Sequence, residues 1–470
     1  MKKLFRFLLA LLPLGLSSQT VYSLQYCIET ACANNLQVKQ SGLLLATAET
    51  NFKQAKNNKL PNVNGNYSLG INNGRSIDPF TNGYITEQLS FSNAGLGADI
   101  TLYNGGRLQN LIKQNELLAK AARQDNQQDK ETLALNVILA YLQVLNSEDL
   151  LKLAITQVEV TQKQMDRLEK MNKMGAIQPA ALYDMKGQLA SDELGIINAQ
   201  NALAVSKLTL TQLMNVSFDA TVQLDRNAFK STPSVLQPYD ASVSELYETA
   251  LKNLGIVQAA NLRQESAKMA SKIASANFYP TVSLFGRLGT NYSSAAQRAL
   301  PISSTDVATN NFVELNGNRL PVFSKQTNFK NDKISYFNQF FNNMNTTVGI
   351  SVQIPIFNGF QTKTFVQLTQ IQEKIAANGT DNIKQQLRQA IEQAYLNATN
   401  TLNRYDILKR QVAAFQQSFT VAEKRFAEGV IHSVDYLMVK NNLDRANANL
   451  INTQYDYLLR VKVLDFYRGR

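Results

Sequence analysis

Two long stretches free of Gly and Pro, short alternating segments before each, and a chain-long repeat predict a mixed α/β membrane protein. Long α-helical hairpins alternate in it with pairs of β-strands, in two internal structural repeats. Residues 107–173 contain neither glycine nor proline and are rich in Leu, Ala, Gln, Lys and Glu, all good helix formers. As one helix this run is about 100 Å long at 1.5 Å per residue, more than a compact globular domain can hold. The segment VNGNYSLGI puts Val63, Gly65, Tyr67, Leu69 and Ile71 on one face and Asn64, Asn66, Ser68 and Gly70 on the other, which is the period of a strand. The repeat keeps its register: LYNGGR at 102–107 returns as IFNGFQ at 356–361, 254 residues later. At the same offset Tyr141 matches Tyr395, Gly175-Ala-Ile matches Gly429-Val-Ile, and Leu189 matches Leu443. Upstream the offset is 219, pairing SLQYCIETACANN with SVSELYETALKNL and Pro61 with Pro280, so an insertion of 35 residues lies between Pro280 and Ile356.

The first residues, 1–19, carry Lys2, Lys3 and Arg6 ahead of an apolar core of about a dozen residues, the layout of a secretory signal peptide. An uncleaved anchor is the alternative, for which the apolar core is short. LQYC around Cys27 lacks the small residues of a lipoprotein signal. No later segment approaches the ~20 apolar residues of a membrane helix, so a chain of this kind crosses a membrane as strands. The net charge of +11 drops to +8 when the three signal cations leave. The remaining Lys and Arg are scattered among Gln, Asn and Glu, a solvated surface rather than a nucleic-acid face. Cys27 and Cys32 point to different faces of a helix and read as packing residues, not a disulfide. With His432 the single histidine and no nucleophile, base and metal arrangement, neither a zinc site, a cofactor nor an enzyme is expected.

Repeat 1, residues 20–238, begins with a helix over 23–59 that Pro61 stops. Two strands over 62–104 follow, the second with Leu96, Ala98, Ile100 and Leu102 on one face. The long helix 105–173 turns at MGAIQP into a return helix over 180–214, and a polar, broken equatorial segment occupies 215–238. Repeat 2, residues 239–470, has a helix over 242–278 and two strands over 281–357, with the insertion as a long loop. In the last strand Val348, Ile350, Val352, Ile354 and Ile356 alternate with polar or small residues, and Pro355 marks its end or edge. Helix 360–428, interrupted only by Gly379, turns at EGVIHS into a final helix over 434–466. Asn104/Gly105 and Asn358/Gly359 redirect strand into helix; the lengths beyond them exclude an Asn-Gly hairpin there. Pro61 and Pro280 mark the opposite junction, helix into strand.

Small and polar residues fall on every face of the long helices, with no sustained Leu/Ile seam, which favours a hollow helical barrel over a strict coiled coil. Strands of 9–11 residues, apolar on one face and polar on the other, fit a membrane barrel with lipid outside and water inside. Four strands cannot close one, and an open edge in lipid is forbidden, so several chains must share it; three give twelve strands. Tyr67, Tyr84, Phe91, Tyr103, Tyr279, Phe285, Tyr292 and Phe357 flank the strands as interfacial girdles or as isolated exposed aromatics.

The ordered set of an SL..CI..A..NN opening, LYNGG and IFNGF at the junctions, and G.IHSVDYL...NNLDRANANLINTQYDYL at the end resembles the TolC-like outer-membrane efflux proteins, the outer membrane factors. The resemblance covers essentially the whole mature chain. It implies a homotrimer in the outer membrane, with a twelve-stranded β-barrel and a large periplasmic α-barrel. Its helical-hairpin tips would dock onto a periplasmic adaptor (membrane fusion) protein and an inner-membrane pump of RND, ABC or MFS type. The function implied is a passive exit duct for tripartite efflux or type I secretion. The alternative is a periplasmic coiled-coil structural or adhesin-like outer-membrane protein without transport. By the same resemblance Gly175, Ala176 and Ile177 form one tip turn and Gly429, Val430 and Ile431 the other. Asp435 matches an acidic residue at the pore constriction, or is an ordinary helix-start carboxylate. Where the family places polar gating residues, this chain has Ala181, Phe426 and Ile431, and Met438 at the next acidic position, so closure must use other contacts.

Overall fold

The computed structural model describes residues 21–78, 81–177, 179–229 and 236–469, so the expected signal peptide and part of the equatorial segment lie outside the described residues. In chain order the elements are β1 (Val21–Tyr22), α1 (Leu24–Asn34), α2 (Leu36–Asn57), β2 (Asn62–Asn72), β3 (Arg75–Ile77), β4 (Tyr84–Thr86), β5 (Leu89–Asn104), α3 (Arg107–Lys173) and α4 (Pro179–Met214). Then come β6 (Gln223–Leu224), α5 (Val243–Asn253), α6 (Gly255–Ser275), β7 (Thr281–Ser293), β8 (Gln297–Leu315), β9 (Asn318–Lys333), α7 (Tyr336–Asn342), β10 (Asn345–Gln353), α8 (Gln361–Ala427) and α9 (Ser433–Arg468). They form a helical unit (Met1–Thr50, Glu116–Ala267, Glu373–Arg470) and a sheet unit (Asn51–Asn115, Lys268–Gln372).

Helices α3 and α8 are each 67 residues long, and α8 runs unbroken through Gly379. Their return partners α4 and α9 are each 36 residues. The other two helices differ from the expectation of single rods over 23–59 and 242–278: each is broken, at Asn35 and at Leu254, positions again 219 apart. Both first pieces open on a serine cap, Ser23 Oγ accepting from the Tyr26 N–H and Ser242 Oγ from the Glu245 N–H, each at 3.2 Å; such a cap contributes about 1 kcal/mol. Asn35 then ends α1 with its own N–H on the Ala31 carbonyl and starts α2 with its side-chain oxygen, which accepts from the N–H groups of Gln37 and Val38. In repeat 2 the break is held from outside: Gln128 on α3 accepts the Ile256 N–H at 3.2 Å. A Cβ on Gly255 would lie 2.6 Å from the Gln124 carbonyl oxygen, so only glycine lets α6 begin against α3.

The helical unit has its core in separate clusters along the rods. One surrounds Tyr141, wholly buried among Cys27, Val137, Leu145, Leu210 and Met214. Its hydroxyl donates toward the carbonyls of Tyr22 and Asp225, at 2.9 and 2.7 Å, beside the parallel pair β1–β6. A second cluster gathers Leu246, Val257, Ile391, Tyr457 and Leu464, with the Tyr457 hydroxyl donating to the Gln237 carbonyl. Each such side chain contributes about 1.5–3 kcal/mol by leaving water, and both tyrosines keep a partner for the polar end that goes with it.

The sheet unit is a four-stranded antiparallel sheet in the order β10-β7-β5-β2. Directly opposed residues share a face, so the register puts Val63, Tyr67, Leu69, Leu96, Leu284, Leu288, Val348 and Ile350 on one side. Asn64, Asn66, Ser68, Asn93, Arg287, Asn291, Thr347 and Ser351 lie on the other. Of the flanking aromatics, Phe91 and Phe285 sit on this polar face rather than in an apolar girdle. Each covers a cross-strand glycine, Phe91 on Gly70 and Phe285 on Gly349, where an added Cβ would lie 2.6 and 2.8 Å from the ring. Aromatic cover of this kind supplies the packing that a glycine in a strand lacks.

Two further differences mark repeat 2. β10 ends at Gln353, so the alternation through Ile356 outruns the pairing; Pro355 has no N–H to give a ladder. The insertion is not a plain loop: β8 and β9 form a long hairpin closed by Asn316 and Gly317, at φ +55° and +79°. Two residues at positive φ make the turn that fits the twist of a hairpin, and Asn-Gly favours it.

Candidate functional site: hairpin tips and strand-to-helix junctions

At the junctions, β5 passes into α3 through Gly105 and Gly106, at φ +65° and +78°. Asn104 Oδ1 accepts the Leu108 N–H at 3.2 Å, satisfying one of the unpaired donors that start α3. Gly105 is required twice over. Besides its φ, a Cβ there would lie 2.7 Å from Tyr279 Cβ and 2.8 Å from the Ala276 carbonyl oxygen, on the segment that leads through Pro280 into β7. In repeat 2 the same left-handed pair is Gly359 and Phe360, both at φ +62°. A bulky residue at positive φ carries local strain; Phe360 packs edge-on against Phe357, ring centroids 5.6 Å apart. Pro61 directly precedes β2 as Pro280 precedes β7, where a fixed φ and a missing N–H do not disturb the ladder.

At the other end of the long helices, both turns close alike. Gly175 (φ +68°) sends its N–H to the Asn172 carbonyl at 3.0 Å, and Ala176 sends its N–H to Met171 at 2.9 Å. Gly429 (φ +74°) bonds Phe426 at 3.2 Å and Val430 bonds Arg425 at 2.8 Å. These are paired Schellman closures, which satisfy the last helix carbonyls and need a left-handed residue. Pro179 occupies the first position of α4, where its missing N–H costs nothing.

The two turns come together round one cleft of about 500 Å³, lined by Ala176, Ile177, Ala181, Phe426, Gly429 and Ile431 among others. Arg167 of α3 donates to the Ala427 carbonyl, and Ser433 Oγ donates to Asp184 at 2.8 Å, so each hairpin holds the other. Behind the cleft lies an apolar cluster of Leu168, Leu182, Met185, Phe419, Tyr436 and Leu443. Ile177, Phe426 and Ile431 pack onto it, and Phe426 stacks on Tyr436 with centroids 4.6 Å apart and planes at 14°. Phe426 and Ile431 are therefore turned into the chain's own packing. Asp435 is exposed in the first turn of α9, next to exposed Val434 and on the same side as exposed Met438.

Further along α9 is a feature that the sequence did not flag. Lys440 is 1 % exposed and reaches Asp192 of α4 at 2.9 Å and Asp444 at 2.6 Å. Asp192 also accepts from Thr161 of α3 at 2.5 Å and from Gln188 at 2.7 Å, so three helices share one buried network. Burial raises the Asp444 carboxyl above its ordinary range against the pull of Lys440. The Lys440/Asp444 spacing of four was visible in the sequence; Asp192, 248 residues earlier, carried no local signal. No group of His, Cys, Asp and Glu able to hold a metal occurs among the described residues.

A family model described as outer membrane efflux protein matches residues 27–216 and 246–470. The outer membrane protein TolC of Escherichia coli (strain K12) is 24 % identical over 392 residues, spanning 78 % of this chain and 72 % of that protein. The outer membrane protein VceC of Vibrio cholerae superposes with a TM-score of 0.73 at 16 % identity, covering 95 % of this chain and 96 % of VceC. The MtrE outer membrane channel of Neisseria gonorrhoeae in its open state gives 0.72 at 16 % identity, covering 95 % and 88 %.

Proposed function

The chain belongs to the outer membrane efflux protein family, and on that premise we propose that three copies close one twelve-stranded barrel in the outer membrane. The chain serves as the outer-membrane exit duct of an efflux or secretion system and catalyses nothing; the family match across both repeats carries this. The sheet supports the closure. β2 and β10 are its two free edges, and three successive antiparallel pairings leave them running in opposite directions. Joining the β2 edge of one copy to the β10 edge of the next therefore keeps every pairing antiparallel, and a head-to-tail ring of this kind closes. The apolar sheet face turns to lipid and the Asn/Ser/Thr face to a water-filled lumen, the arrangement every membrane barrel needs.

The tip turns at Gly175–Ala176–Ile177 and Gly429–Val430–Ile431 are the docking surface for a periplasmic adaptor, which links the duct to an inner-membrane pump of RND, ABC or MFS type. Asp435, one per copy, forms a ring at the constriction. With Phe426 and Ile431 engaged inside their own chain, the closed state rests on apolar packing at the tips and not on polar latches between copies. The test is the mass of the detergent-purified assembly, with disulfide trapping of cysteines scanned along β2 against β10 in a Cys27→Ala, Cys32→Ala background. A three-copy mass and traps that link different copies are expected. A monomer that stays soluble without detergent overturns the proposal.

A further inference from the structure

Helix α7, YFNQFFN, lies across the sheet at one place and on one face. Tyr336 places its hydroxyl 3.0 Å from Ser92 and 3.3 Å from the hydroxyl of Tyr67, and its ring 4.8 Å from that of Tyr292. By register Tyr67, Ser92 and Tyr292 belong to the apolar face. α7 is fixed there. Gln339, 1 % exposed, accepts from the Ser293 N–H and donates to the Ser293 carbonyl, both at 2.9 Å, as a neighbouring strand would at the end of β7. Thr290 donates to the Phe340 carbonyl at 2.6 Å, and Asn343 donates to that of Asn291 at 2.9 Å. The strand residues beneath are small, Ser90, Ser92 and Ala94 on β5, where the same face lower down carries Leu96, Ala98 and Ile100.

Two apolar features remain uncovered. Phe337 and Phe341, four apart on α7, are 70 % and 67 % exposed. Beside the helix a groove of about 410 Å³ runs over Gly65, Ala94, Leu96 and Leu288 and is bounded by Tyr67, Phe340 and Met344. It is continuous with the apolar face and lined almost wholly by carbon. A polar ligand finds few hydrogen-bond partners on such a surface, while an acyl chain fills it without losing a hydrogen bond. Aromatic side chains beside small polar ones, as in YFNQFFNNM, suit the boundary between acyl chains and headgroups.

We propose that α7 and this groove form a lipid site on the outside of the barrel, in which an acyl chain of an outer-membrane lipid lies in the groove while Phe337 and Phe341 enter the boundary layer. The proposal rests on the apolar face being the lipid face. α7 thus anchors the membrane end of the duct laterally, and the segment joining the β8–β9 hairpin to β10 is part of the membrane contact.

The sequence has no tryptophan, so single tryptophans report locally. Phe341→Trp, Met344→Trp and, as a reference on the apolar face, Ile350→Trp are each reconstituted as the full assembly in vesicles with lipids brominated on the acyl chains near the headgroup or near the chain end. Phe341→Trp and Met344→Trp are expected to lose most of their emission, the former mainly to the bromine near the headgroup. Red-shifted, unquenched emission at both places the patch in water and overturns the proposal; blue-shifted but unquenched emission places it under protein and does the same. Quenching of Ile350→Trp alone leaves the barrel standing without the lipid site. If Ile350→Trp is itself unquenched, the barrel reading fails.

Discussion

The ammonium of Lys440 lies 2.9 Å from Oδ2 of Asp192, a buried ion pair that ties α9 to α4 across 248 residues of sequence. Removing one member leaves charge in a dry site without its partner. Lys440→Ala is expected to cost about 3–5 kcal/mol, read as a lowered thermal midpoint by circular dichroism in detergent. Lys440→Met combined with Asp192→Asn and Asp444→Asn removes the charges together and costs less than the single change.

Tyr436 presents the opposite case. Its ring is buried and stacked on Phe426, but its hydroxyl finds no hydrogen-bond partner among the described residues, and burial, then the charges of Glu423, Asp444 and Asp192, raise the phenol far above its ordinary range. Tyr436→Phe discards an unpaid desolvation of about 1–3 kcal/mol, so its melting point stays level or rises. Phe426→Ala, which removes the half-buried stacked ring, lowers the melting point through a stability loss of about 1–2 kcal/mol.

The junction glycines separate strain from space. Gly359→Ala meets nothing within 4 Å and costs only the left-handed backbone, about 1–2 kcal/mol. Gly105→Ala adds the collision with Tyr279 and the Ala276 carbonyl and is the more damaging, to the point of lost assembly in the membrane fraction. Phe360→Gly, at an exposed site already at positive φ, costs nothing or gains up to about 1 kcal/mol.

Burial pushes the Cys27 thiol up to about 12, so at pH 8 a maleimide reaches Cys27 only after unfolding. The folded state holds this proton where the unfolded chain, with a thiol near its ordinary value of about 8.5, releases it. The contribution of this thiol to stability is therefore constant through neutral pH and is lost as pH rises from about 8.5 towards 12. Labelling stoichiometry before and after denaturant, and denaturation midpoints at pH 8 and 10, check both parts.

What the sequence made legible was what depends on neighbours along the chain. α3 and α8 follow from runs without helix breakers, β2 and β5 from alternation, and both tip turns contain a glycine whose need for positive φ is local. The Leu254 break was hidden because Gln128 of α3 holds it, whereas Asn35, a residue able to cap a helix, could have signalled the first break. The β8–β9 hairpin was readable in ELNGNR, where Asn316-Gly317 sits between strand-like segments. Residue type alone puts Phe91 and Phe285 among the girdle aromatics, yet the two-residue period within each strand, with Leu96, Ala98 and Ile100 on one face of β5 and Leu284 and Leu288 on that of β7, turns both rings to the other face. The Lys440 network and the placement of α7 join residues far apart in sequence, and nothing local announces either.

A water-filled path through the outer membrane with the proposed constriction at Asp435 must carry ions and must respond to modification at that residue. The most direct measurement is single-molecule current across a planar bilayer into which purified assemblies have inserted, with Asp435→Cys exposed to a bulky thiol reagent from the tip side in the Cys27→Ala, Cys32→Ala background. Steady ionic current that the reagent reduces from that side is the predicted result. Inserted assemblies that carry no current, or current indifferent to modification at residue 435, would contradict it.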